Sequence, residues 1–89
     1  MKITFKNLGV DNEKKYAAVA EEVRIAKQDF INCVPEETEA KRKALQDKWN
    51  EFAGATIEKI DGVDVKDLNK VDIGEAVVSF FEKVLILPK

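Results

Sequence analysis

Asp61, Asp64, Asp67 and Asp72 crowd one short stretch of the chain. Clustered carboxylates are the oxygen ligands that calcium and magnesium take. The spacing does not suit them. An EF-hand loop puts glycine sixth and closes on a glutamate, whereas here Gly62 stands second and no glutamate closes the loop. The expectation is a solvated loop whose aspartates make turns and caps, with no metal ligand assigned. Lys41-Arg42-Lys43 offers phosphate contact instead. Glu36, Glu37, Glu39 and Asp47 surround it and no aromatic row accompanies it, which predicts a helix face laced with ion pairs. The glycines are scattered, so no phosphate-binding loop is present.

Nucleophilic and acid–base chemistry fare no better. Histidine is absent, which removes the usual general base near neutral pH and the commonest metal ligand. Cys33 is the only cysteine, so no intrachain disulfide, four-cysteine zinc site or CxxC pair exists. A thiol with no histidine to activate it reads as a small hydrophobe near a helix end, and it suits a reducing compartment. Ser79 falls inside a predicted helix. With 36% of residues charged, acidic neighbours are inevitable, and none carries a pocket signature. No catalytic or cofactor-binding residue is assigned, and the expectation is a protein that is not an enzyme.

The chain that must position any site has 89 residues, 45% of them hydrophobic, which fits one small domain over residues 1–89. A domain of this size buries roughly 60–65% of its unfolded surface, so its core is small and a partner is useful. The net charge of −2 argues against a generic nucleic-acid binder. No apolar run approaches the roughly 18–20 residues that span a bilayer, and Met1–Lys6 lacks a signal peptide's apolar core. These features predict a cytoplasmic protein with no membrane partner.

Ile3 and Phe5 alternate with Lys2, Thr4 and Lys6, the period-two pattern of a half-buried strand, and Leu8-Gly9 signals a turn. Asp11 and Asn12 offer a helix cap. Tyr16, Val19, Val23, Ala26 and Phe30 then recur at helical spacing, which predicts a helix over about 11–32. Val34-Pro35 ends it and suits the first turn of the next helix. Glu37–Lys41 and Glu39–Lys43 are spaced as i,i+4 pairs, and Leu45, Trp49, Phe52, Thr56 and Ile60 form the apolar face. The short link predicts an antiparallel helical hairpin. The helical spacing carries the second helix to about Ile60. The alternative stops it near Gly54, with a strand to Ile60, a turn at Asp61-Gly62 and a return strand over Val63–Val65. Residues 61–71 connect, with Val63, Val65 and Leu68 tucked in. Asp72 and Glu75 resemble a capping box for a last helix over about 73–85. The fold class is α+β and mostly helical: a short N-terminal strand plus three helices, with a short β-hairpin near residues 57–65 as the alternative.

That last helix carries more apolar residues than one stripe holds. Ile73, Ala76, Val77, Phe80 and Val84 fill one face, and Val78, Phe81, Leu85 and Ile86 fall beside or beyond it. This excess packs under the N-terminal strand, mediates self-association or grips another protein. Val78, Phe81, Leu85 and Ile86 are the candidate partner-binding residues.

The layout resembles that of small tail-assembly chaperones of long-tailed bacteriophages. A short strand leads into a charged helical hairpin, then Ile57-Glu58-Lys59-Ile60-Asp61-Gly62-Val63-Asp64-Val65, a connector around Leu68, and a helix with paired aromatics, Ile73 to Val84. The resemblance implies a cytoplasmic, non-enzymatic, self-associating protein that shields hydrophobic surfaces of tail proteins before assembly. No site residue carries over. The residues alone leave two rivals. One is a small inhibitor or immunity protein that blocks an enzyme or host-defence complex through Glu21, Glu22, Glu36 and Glu37. The other is an oligomer that encloses a small molecule between subunits.

Overall fold

Gly9 has a φ of +82°, in the left-handed region that glycine enters without a steric penalty. It reverses the chain from strand β1 (Ile3–Phe5) into helix α1 (Val10–Asn32). The helix therefore opens before Asp11 and Asn12, the expected caps. Gly9 is the N-cap, and the Asn12 side-chain amide donates to the Leu8 carbonyl at 3.0 Å. The computed structural model describes residues 2–86, with side chains as far as Val84.

α1 ends where Cys33 and Val34 turn extended before Pro35, as proline demands of the residue ahead of it. Half-buried Cys33 caps the helix end, its thiol 3.2 Å from the Phe30 carbonyl. One tight turn, Pro35–Glu37, leads into α2 (Thr38–Thr56). α1 and α2 form the antiparallel hairpin expected from so short a link. Lys48 donates to Glu22 across it at 2.6 Å. The expected pairs Glu37–Lys41 and Glu39–Lys43 are not among the ion pairs formed by the described residues.

The second helix stops at Thr56, short of the expected Ile60. Residues Ile57–Ile60 are strand β2, paired antiparallel with β1. The misreading has a clear cause. Ile57 and Ile60 are both buried with Glu58 and Lys59 exposed between them, a spacing of three that imitates a helix. A bulge produces it: Thr4 faces Lys59 and Phe5 faces Ile57, so Glu58 has no opposite residue. The alternative reading, a strand and an Asp61-Gly62 turn, is closer, and Gly62 does take φ +77°. Its partner differs, because Val63 makes only an isolated bridge to Ile60. α2 ends under β1. The Lys6 N–H donates to the Thr56 carbonyl at 2.8 Å and its ammonium donates to the Gly54 carbonyl at 2.9 Å, where a cation suits the negative helix end.

The connector crosses the hairpin and is tied to it by Trp49, whose indole N–H donates to the Val65 carbonyl at 2.6 Å. Val63, Val65 and Leu68 pack against the core as expected. Asp72 caps α3 (Ile73–Ile86), its carboxylate accepting from the Glu75 N–H at 3.0 Å. Trp49, Phe52 and Phe80 are fully buried, and Phe80 meets both Phe52 and Phe5 edge-on. Replacing Phe80 by alanine is expected to cost about 3–5 kcal/mol. That is a large part of the stability of about 5–10 kcal/mol usual for such a domain. Urea unfolding followed by Trp49 fluorescence measures it, and a loss below about 1 kcal/mol contradicts this core.

Candidate functional site

The inner face of α3 is spent. Ile73, Ala76, Val77 and Phe80 are at most 6% exposed, and Val84 packs against the core beside them. The turn of about 100° per residue places Val78 and Phe81 together off the edge of that face. Val78 is 55% exposed. Phe81 is half-buried and rests on the core, so its ring is shared between the fold and the surface. The structure thus sets Val78 outside and Phe81 at the margin. The side chains of Leu85 and Ile86, the other two candidates, lie outside the described residues, as does Leu87.

Lys83 leaves the same helix on its other side and reaches under β1. Its ammonium is 3.4 Å from the Glu13 carboxylate, donates to the Lys6 carbonyl at 3.2 Å, and lies 5.7 Å from the centre of the Phe5 ring. Glu13 is buried in the first turn of α1, where a negative charge is favoured. Its second carboxylate oxygen has no hydrogen-bond partner among the described residues. Such a contact fixes the roll of α3, and with it the outward direction of Val78.

A second surface escaped the sequence pattern. The C-terminal half of α1, the start of α2 and the end of the connector wall a groove of about 440 Å³. Lys27, Arg42 and Lys70 line it together with Phe30, Ile31 and Leu68. The cations stand far apart in the chain, and only packing gathers them. Arg42 is the one hint, since it belongs to the basic run. Arg42 stands between two hollows, since it also lines a neighbouring one together with Lys43 and Glu39.

The aspartates of the connector do what turn chemistry predicts. Asp64 accepts from the Lys66 N–H and Asp67 from the Asn69 N–H, at 3.0 and 3.1 Å. No three His, Cys, Asp or Glu side chains among the described residues stand close enough to hold a metal ion. The glutamates named for an inhibitor do not act as one free patch. Glu21 accepts from the Arg24 guanidinium at 3.0 Å, which holds its carboxyl below the ordinary glutamate range. Glu22 is engaged by Lys48 and raises that ammonium above the usual lysine value. Glu36 and Glu37 remain exposed in the turn. Among the described residues no helix is long and apolar enough to cross a membrane.

Comparison with known proteins gives no family for this fold: no family model, curated protein or solved structure matches the chain. The bacteriophage chaperone resemblance therefore rests on layout alone.

Substitution separates the two α3 residues. Val78→Asp is expected to change stability by no more than about 0.5 kcal/mol, as at an ordinary surface site. Phe81→Asp is expected to cost at least about 2 kcal/mol, because it sets a charge against the core. Thermal and urea unfolding of both variants check this; equal effects mean that the outer edge of α3 is drawn in the wrong place.

Proposed function

We propose that this protein works without catalysis, by covering apolar protein surface with the outer edge of α3, against a second copy of itself in the first instance. The observation that carries the reading is Val78: a large apolar side chain 55% exposed in mid-helix, beside Phe81, on a helix whose inner face is full. Exposed single hydrophobes are ordinary. Here the exposed residue adjoins a half-buried aromatic ring, and together they make an edge that a partner can extend. Burying two such side chains contributes roughly 1–3 kcal/mol each before the costs of association. That suits a weak, reversible contact.

A reversible self-contact also suits a protein that shields hydrophobic surfaces of other proteins before they assemble, the activity that a cytoplasmic tail-assembly chaperone performs. In that reading the client takes the place of the second copy on α3. An inhibitor acting through its glutamates is less well supported, because Glu21 and Glu22 are held in intramolecular pairs.

Light scattering after size exclusion, over about a hundredfold dilution, tests the proposal. The expected mass at high concentration is a multiple of 10.0 kDa that falls toward one chain on dilution. Val78→Asp is expected to give single chains throughout, with unchanged melting. A wild-type protein that is a single chain at every concentration overturns self-association. An oligomer indifferent to Val78→Asp overturns the assignment to α3.

A further inference from the structure

We propose that the groove walled by α1, α2 and the connector binds a free amphiphilic anion: an aliphatic body carrying one carboxylate head. The groove shares no residue with the outer edge of α3 and does not depend on that reading.

Charge is the first argument. Lys27, Arg42 and Lys70 line the groove, and none of them has an ion pair among the described residues. The one carboxylate in the lining, Asp72, is occupied in capping α3. Three cations thus share one concavity in a chain whose net charge is −2. Lys27 is the least exposed of the three. It is half-buried, and its ammonium stands 3.1 Å from where a Cβ on Gly74 would project, with an Asp72 carboxylate oxygen 3.6 Å from the same point. One carboxylate, itself engaged at the cap of α3, faces three cations, so the groove keeps an excess of positive charge.

Shape and polarity supply the rest. Apart from the cations the walls are apolar: Phe30 and Leu68 lean on the core, and Ile31 is 60% exposed at the edge. An apolar body against these side chains, with its head among the three cations, satisfies both parts of the surface. Walls on three elements suit a compact ligand better than an extended acidic segment.

Titration calorimetry with submicellar dodecanoate tests the proposal, with acetate, inorganic phosphate and dodecyltrimethylammonium as controls. Dodecanoate is expected to bind one per chain, and the three controls far more weakly. Arg42→Glu and Lys70→Glu sit at exposed positions, so each is expected to keep the melting temperature within about 4 °C. Each is expected to weaken dodecanoate by about tenfold or more. Ile31→Asp removes the apolar edge and is expected to weaken it comparably. Equal binding of the cationic amphiphile, or binding indifferent to all three variants, overturns the proposal. So does failure of dodecanoate to bind while vesicles containing phosphatidylglycerol sediment the protein, which assigns the cations to a lipid surface instead. Val78→Asp is expected to leave dodecanoate binding intact, so this site and the α3 contact fail or survive separately.

Discussion

Phe80 packs edge-on against Phe52 of α2 at 5.2 Å and against Phe5 of β1 at 5.6 Å, so one ring joins three elements that lie far apart in the chain. Edge-to-face packing favours that arrangement over stacking and gives it a direction. With Phe80 inward, the helical turn sends Ala76, Val77 and Val84 to the core and Val78 to solvent. The Lys83–Glu13 contact under β1 holds the same roll from the other side. The exposed edge of α3 therefore follows from how its buried face is locked.

The two strands belong to the same constraint. β1 is too short to be stable alone and lies over the end of α2, paired with β2. Without that pairing Phe5 has no fixed place, and Phe80 loses one of its two aromatic neighbours. The bulge at Glu58 lets a strand of only four residues turn both Ile57 and Ile60 inward while Glu58 and Lys59 meet water. Lys6, the residue after β1, then closes the end of α2 with two hydrogen bonds.

Much of this was legible in the sequence. The apolar spacing from Tyr16 to Phe30 marked α1, Val34-Pro35 marked its end, and Asp72 with Glu75 marked the start of α3. What failed did so for physical reasons. Ile57 and Ile60 kept a helical interval because of a bulge, and a bulge depends on a partner strand that local pattern does not contain. The start of α1 agrees to one residue, but its cap is Gly9, with a positive φ, and not the side chain of Asp11 or Asn12. Of the candidate site, periodicity placed Val78 correctly on the outside. It left Phe81 open between core and interface, and the core holds part of the ring. The groove of Lys27, Arg42 and Lys70 was illegible, because its residues come together only through the packing of α1, α2 and the connector.

The central claim is that the outer edge of α3 is open in the single chain and covered by association. A thiol placed there reads both conditions. In a Cys33→Ser background, Val78→Cys is expected to react with a maleimide at the rate of an exposed thiol when the protein is dilute. The rate is expected to fall as concentration rises through the range in which scattering reports association. A rate unchanged at every concentration, or a thiol already protected at the lowest, contradicts the account.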